Sequence, residues 1–427
     1  MERFFNTTGP CDPADHYMLP AEARMPDLLP FVRQKQYFVM HAARQTGKTT
    51  AMMSLAATLR AEGYAAVWAT LERSQAVDDV EVAEQLWIQA VVRAAHHAAI
   101  ASAPDADAAA AMPPHERFGS FLELWAAAEP RPIVLLLDEA DVVTGTPLIS
   151  LLRQLRAGFM QRGVGKFPVS VGLIGMRDLR DYLTVVKDGV HANPGSPFNI
   201  KAASVTLRPF NREEVAELFA QHTEATGQVF TEAAADRVFE LTAGQPFLVN
   251  WLAKECVEQL VTDRAVDVDV SHIDDAKERL ILARTTHLDA LAERLKEPRV
   301  ARIVQPVLVG QGIVDTASDD FDYCVDLGLV VRSPDGIVIA NPLYREVLGR
   351  VLTVAVQDHV PRPWWRWLTA DGRLDFDALV DAFLVWWREN EGMLRGGMTT
   401  YPEAVPQLAF MGFLQRVVNG GGRITRE

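Results

Sequence analysis

The chain has 427 residues, 49% of them hydrophobic, a formal net charge of -14 and three cysteines. This length allows two to four domains with ample core, and this hydrophobic content excludes a disordered chain. The acid excess argues against a surface coated with nucleic acid or anionic lipid, and the scattered Cys11, Cys256 and Cys324 fit neither a disulfide framework nor a paired-cysteine zinc site.

A reduced, cytoplasmic compartment is therefore expected. Met1-Glu2-Arg3-Phe4-Phe5 does not read as a signal peptide, and no apolar run approaches the ~20 residues of a membrane span. Residues 1–32, rich in Pro, Asp and Met, read as an irregular lead-in. From there to residue 210 apolar strands alternate with helices. Strands are expected at Gln36 to Met40, Ala65 to Leu71, Pro132 to Leu137, Val169 to Ile174 and Ser204 to Leu207. Helices are expected at about Thr49 to Ala61, Val80 to Ile100, Phe118 to Ala128, Pro147 to Arg162 and Asp178 to Val185. Such alternation predicts an α/β core, 33–210, with a parallel sheet covered on both faces.

Residues 211–298 read as a helical lid, with helices at Arg212 to Thr226, Glu232 to Thr242, Pro246 to Val261 and His272 to Leu295. In 299–355, helices precede two short strands joined by Ser333-Pro334-Asp335-Gly336, which predicts a hairpin and suggests a winged helix. Residues 356–427 form an α-rich C-terminal region. Its tryptophans, Trp364, Trp365, Trp367, Trp386 and Trp387, invite base stacking, but core packing or a partner groove is the plainer reading.

The segment Ala42-Ala43-Arg44-Gln45-Thr46-Gly47-Lys48-Thr49-Thr50 follows a strand and opens a helix. Backbone amides at a helix N-terminus, backed by the helix dipole, form an anion cradle. Gly47 lets the backbone approach phosphates, Lys48 reaches the β- and γ-phosphates, and Thr49 places its hydroxyl on Mg2+. Ala42 stands where the first glycine of an ATP-binding loop is usual. The alternative is a Gly-Lys-Thr surface turn, which the flanking strand and helix disfavour.

Asp138 ends an all-apolar strand, where parallel sheets open their ligand crevice. It is expected in the magnesium shell, with Glu139 polarising the attacking water. Alternatively Asp138 caps the next helix, and slow nucleotide switches carry the same acidic pair. Arg177 is the candidate for a γ-phosphate contact, against a surface arginine paired with Asp178 or Asp181. Arg153, Arg156 and Arg162 include a candidate arginine finger, against a solvated helix face. Gly244-Gln245-Pro246 opens a lid helix. Proline there is structural by default, and the same turn could bring lid backbone at Gly244 and Pro246 to the nucleotide.

With these motifs the chain resembles the AAA-like P-loop ATPases of prokaryotes, near the archaeal-type and STAND ATPases, over roughly Phe5 to Leu352. The resemblance is carried by Gly9-Pro10-Cys11, His16-Tyr17-Met18-Leu19-Pro20, the loop from Arg44 to Thr50, and Leu137-Asp138-Glu139-Ala140-Asp141. Leu207-Arg208-Pro209-Phe210, Gly244-Gln245-Pro246-Phe247 and Ala340-Asn341-Pro342-Leu343-Tyr344-Arg345-Glu346 complete it. The family usually has proline where this chain has Ala43. The resemblance implies an ATP-driven switch using ATP and Mg2+, with a nucleotide core, a lid contact from Gly244 and Pro246, an arginine sensor at Arg177 and a winged helix. Such relatives often carry a C-terminal PD-(D/E)xK nuclease-like domain. Tyr401 to Glu427 looks similar to its first helix and strand, with Glu403 matching the helical acid. The metal-holding Asp and Glu-x-Lys would follow on later strands, so no nuclease activity is expected of this polypeptide.

The expectation is thus a slow ATPase, with ATP and ADP as ligands and a protein partner or self-association. The alternatives are a non-hydrolysing regulatory module and a DNA-associated helper, the latter disfavoured by the charge. No membrane partner is expected.

Overall fold

A computed structural model of the chain describes residues 3–20, 24–26, 28–164, 166–175, 201–282, 293–308, 310, 318–334, 336–359, 369, 373–397 and 405–418. They form two compact units. One comprises residues 1–230, 244–254 and 264–266, and the other 231–243, 255–263 and 267–427.

The first unit begins with α1 (Leu28–Arg33) and β1 (Tyr37–His41), then α2 (Lys48–Ala61), β2 (Ala65–Thr70), α3 (Val80–His97) and α4 (Arg117–Ala128). β3 (Ile133–Asp138), α5 (Gly145–Phe159), β4 (Ser170–Gly175), β5 (Lys201–Thr206) and α6 (Arg212–Thr226) follow. The five strands are parallel and lie in the order β2-β3-β4-β1-β5. β2 and β3 are apolar up to their last residues, Thr70 and Asp138, because their successive side chains enter opposite apolar layers. Phe38, Met40, Ala66, Val134 and Leu136 join Met52, Leu55 and Leu59 of α2. Val39, Val67, Leu135, Leu137 and Leu173 join Trp87, Phe121, Trp125, Leu151 and Leu155 of α3, α4 and α5. Asp138 continues the even-numbered alternation, so it emerges on the α2 face.

The lead-in is more ordered than its composition predicts. Phe4 N donates to Asp15 O at 3.0 Å and Tyr17 N to Phe4 O at 3.1 Å. Phe5 and Tyr17 are buried against Phe219, His222 and Phe230. α1 forms because Pro30 sits in its first turn, where a missing N–H costs nothing. β5 starts at Lys201, three residues before the expected strand.

The second unit holds α7 (Glu232–Thr242), whose N-cap Thr231 accepts from Ala234 N. α8 (Pro246–Glu255) lies in the first unit up to Lys254 and runs into a π-turn at Cys256–Leu260, which interrupts the continuous helix expected to Val261. α9 (Val270–Leu282), α10 (Pro298–Leu308) and α11 (Asp319–Asp326) precede the hairpin of β6 (Val330–Ser333) and β7 (Gly336–Ile339). These strands pair antiparallel from Val330↔Ile339 to Ser333↔Gly336, as the Pro-Asp-Gly turn predicts. α12 (Pro342–His359), α13 (Phe376–Gly397) and α14 (Val405–Val418) follow. Leu379, Phe383 and Trp386 bury against Ala409 and Phe413, with Trp387 packed beside them. Those two tryptophans are therefore packing residues, whereas Trp364, Trp365, Trp367 and Glu403 lie outside the described residues, as does the helix expected at Asp178 to Val185. Among the described residues no helix is long and apolar enough to cross a membrane.

Candidate functional site

After β1 the chain turns through Ala42 to Gly47 before α2 begins at Lys48. Gln45 (φ 58°) and Gly47 (φ 90°) take the left-handed conformation, which gathers successive amides toward the start of α2. Glycine adopts that angle without strain. The Lys48 ammonium is buried and donates to Ala42 O at 2.7 Å and Ala43 O at 2.9 Å. Burial pulls its pKa down, while the charges of Glu139, Asp138 and Asp141 oppose that and Arg44 adds to it.

Thr49, in the first turn of α2, donates through Oγ1 to Asp138 Oδ2 at 2.8 Å. Trp68 Nε1 donates to the same oxygen at 3.1 Å, and Glu139 N donates to Asp138 Oδ1 at 2.9 Å. Glu139 has φ 55° and is half-buried. Burial raises its pKa, the Asp141 and Asp138 charges add to the rise, and Lys48 opposes it. At the end of β4, Gly175 O accepts from Ala42 N at 3.3 Å. A Cβ on Gly175 would lie 2.8 Å from Asp141 Oδ1, so the Asp138-Glu139-Ala140-Asp141 turn closes against bare backbone.

Two further contacts fix the loop. Arg24, 6% exposed, donates through Nη2 to Thr46 O at 2.8 Å and Arg208 O at 2.6 Å, and through Nε to Arg208 O at 2.9 Å. Its guanidinium lies 4.8 Å from the Phe210 ring centroid. Burial brings its pKa down to about 10, with Glu214 opposing and Arg208 adding. Arg208 in turn grips Glu214 at 2.6 and 2.8 Å, and Glu214 closes the capping box of α6 with Asn211. Thr50 Oγ1 accepts from Cys11 N at 3.0 Å.

Gln245 Nε2 donates to Gln45 O at 3.3 Å, while its Oε1 accepts from Leu248 N at 2.7 Å and caps α8. Gly244 and Pro246 serve this turn. Gly244 has φ +73°, and a Cβ on it would meet Phe210 O at 1.9 Å. Pro246 opens α8. Among the described contacts it is Gln245 that reaches the loop.

The structure thus brings Lys48, Thr49, Asp138 and Glu139 together, with Gln45 beside Gln245. Arg177 lies outside the described residues. Arg162 donates to Lys35 O at 2.8 Å and Phe159 O at 2.7 Å and lies over the Phe159 ring, which occupies it within its own unit. Arg153 and Arg156 lie exposed on α5. Arg24 and Trp68 carry no local sequence signal of a site. Their roles come from contacts across 22 and 70 residues.

A parallel sheet in this order, with a phosphate-type loop after β1 and an acid ending β3, defines the P-loop NTPase fold in its AAA-like form. A Walker-type ATPase of Pyrococcus abyssi has a similar structure, with a TM-score of 0.58 and 15% identity over 81% of this chain and 99% of that one. The RuvB Holliday junction branch migration motor of Thermotoga maritima gives a TM-score of 0.41, at 14% identity over 76% of this chain and 92% of its own. Cdc6p from Pyrobaculum aerophilum gives 0.43, at 11% identity over 81% of this chain and 96% of its own. No family model and no curated protein matches the chain.

Proposed function

We propose that the chain binds ATP with Mg2+ between the phosphate loop and Asp138, and hydrolyses it slowly to drive a conformational switch. The observation that carries this reading is the 2.8 Å bond from Thr49 Oγ1 to Asp138 Oδ2. A hydroxyl and a carboxylate paired beside an amide-rich loop are the hard oxygen donors that Mg2+ takes. Because the hydroxyl donates to Asp138, its lone pairs face away and remain for the metal, so the donor set fits. Bound Mg2+ would neutralise charge on the phosphates.

The chain's own groups then divide the work. The amides from Ala43 to Thr50 and the Lys48 ammonium bind phosphate oxygens, whereas the Ala42 amide, also expected there, is held by Gly175 O. Glu139 accepts the proton of the attacking water, and the rise in its pKa strengthens it as a base. Gln245, held by Gly244 and Pro246, carries the state of the loop to α8. Arg177 is proposed as the γ-phosphate sensor. The proposed layout is a lead-in at 1–32, the core at 33–210, a lid at 211–298, a winged helix at 299–355 of which the β6–β7 hairpin is the wing, and an α-rich region at 356–427. STAND-type switching, a cytoplasmic location, self-association and the start of a nuclease-like region at Tyr401 belong to the same reading.

Phosphate release by wild type, Lys48→Ala and Glu139→Gln tests it. Lys48→Ala should lose nucleotide binding. Glu139→Gln should bind nucleotide and turn over roughly 100-fold more slowly. Equal turnover by wild type and Lys48→Ala sinks the enzyme reading. Tight nucleotide without turnover in wild type would favour a non-hydrolysing module, and a salt-sensitive shift of labelled DNA a DNA-associated helper.

A further inference from the structure

The Asp138 carboxylate accepts three donors, and one comes from a residue with no part in the reading above. Trp68 lies on β2, next to β3 in the sheet, where its register partner is Leu136 and Thr70 is the partner of Asp138. Even-numbered residues of both strands face α2. The indole is half-buried against that apolar layer and reaches along the strand to Asp138 Oδ2 at 3.1 Å. The same oxygen accepts Thr49 Oγ1, while Oδ1 accepts the Glu139 amide.

We propose that Trp68 is a positioning residue for the divalent cation. Its indole N–H and the Glu139 amide fix the plane of the Asp138 carboxylate, so that Thr49 and Asp138 stand as a preformed oxygen pair. This rests on the Mg2+–ATP reading of the site and names a group that sets its metal requirement. The terminal torsion of an aspartate is broad, and one hydroxyl partner does not fix it. The indole nitrogen can only donate, so the bond has one sense and survives a change of metal at the other side. Outer-shell partners of this kind set metal affinity without touching the metal. A role confined to packing would also give the indole a partner, but its loss would then lower stability and leave the metal requirement alone.

The test is binding of a fluorescent ATP analogue, titrated with Mg2+ and repeated in EDTA. Wild type is compared with Trp68→Phe and with benzothienylalanine placed at position 68, where sulfur replaces the N–H and the shape is kept. The Mg2+ midpoint should rise roughly tenfold in both variants, with affinity in EDTA unchanged. An unchanged midpoint overturns the proposal, as does an equal loss with and without metal. Should Trp68→Phe fail to fold, the isostere decides alone. If wild type shows no Mg2+-enhanced binding, or Lys48→Ala binds as well as wild type, the reading of the site fails and the proposal with it. A metal-dependent, Lys48-dependent wild type with unaltered Trp68 variants overturns the proposal only.

Discussion

Arg24 donates through Nη2 to the carbonyl of Thr46 at 2.8 Å, tying the N-terminal segment to the phosphate loop from beneath. The same guanidinium holds Arg208 O, and Arg208 holds Glu214 at the start of α6. One buried side chain therefore links the loop to the segment after β5. A Cβ built on Gly47 would lie 3.4 Å from Arg24 Nη1, so the fork also backs the left-handed turn at Gly47.

Arg24→Met should leave the Thr46 and Arg208 carbonyls short of a donor. A loss of about 2 kcal/mol is expected, the usual cost of an unmet buried acceptor. Thermal unfolding should show it as a lower midpoint, and nucleotide titration as weaker binding. Arg24→Lys keeps the charge but has no planar fork to reach both carbonyls, so it should fall between Met and wild type. A Lys variant indistinguishable from wild type would show that charge alone is needed.

Gly244→Ala and Gly227→Ala separate backbone strain from collision. Gly227 has φ +80° and open space around its missing Cβ, so alanine there should cost about 1 kcal/mol. Gly244 has a similar angle, φ +73°, but its Cβ would stand 1.9 Å from Phe210 O. That variant must open the Gly244–Phe210 contact, with Phe210 N to Gly244 O at 2.9 Å, and carry Gln245 away from Gln45. It should unfold several degrees lower than Gly227→Ala and bind nucleotide more weakly. Equal effects would remove the close approach as the cause.

Glu129 gives a pH dependence of stability. Its carboxylate accepts from Arg131 Nε at 2.7 Å, Arg131 Nη2 at 2.9 Å, Arg131 N at 3.1 Å and the Ser102 hydroxyl. The Arg131 bonds hold its pKa down to about 2, from an ordinary 4.5, against the opposing effect of burial. A carboxyl depressed in the folded state adds stability that is complete above the unfolded value and disappears as pH falls through the folded one. Arg131 is 45% exposed, which screens the pair, so roughly 1–2 kcal/mol is expected. The difference in unfolding midpoint between wild type and Glu129→Gln should stay constant from pH 8 to about 5 and shrink below about 4.5. A difference that does not narrow in acid would mean the glutamine is costly through shape alone.

The loop and the acid ending β3 were legible because each is written in contiguous residues. A strand, a Gly-Lys-Thr and a helix are neighbours in the chain, and so are the apolar run and Asp138. The hairpin was legible for the same reason, through Pro334 and Gly336. Arg24 was not, since it lies in a segment without periodicity and meets Arg208 across 184 residues. Trp68 reads as one more strand residue, and only the register of β2 against β3 turns it toward Asp138. Gly244 and Pro246 drew notice as residue types that shape backbone, whereas Gln245 between them makes the contact to the loop. The π-turn at Cys256 leaves no mark in a pattern that suits a continuous helix.

In the sheet, β1 and β3 never pair, because β4 runs between them. The bond from Thr49 to Asp138 therefore closes a circuit: loop to β1, across β4 to β3, and back over the top. Such a ring tolerates one broken link, since the other path still sets the spacing of its two ends. The spacing of the two backbone ends is thus held twice, by the ladder and by the crest, whereas the set of the carboxylate between them still rests on its own donors.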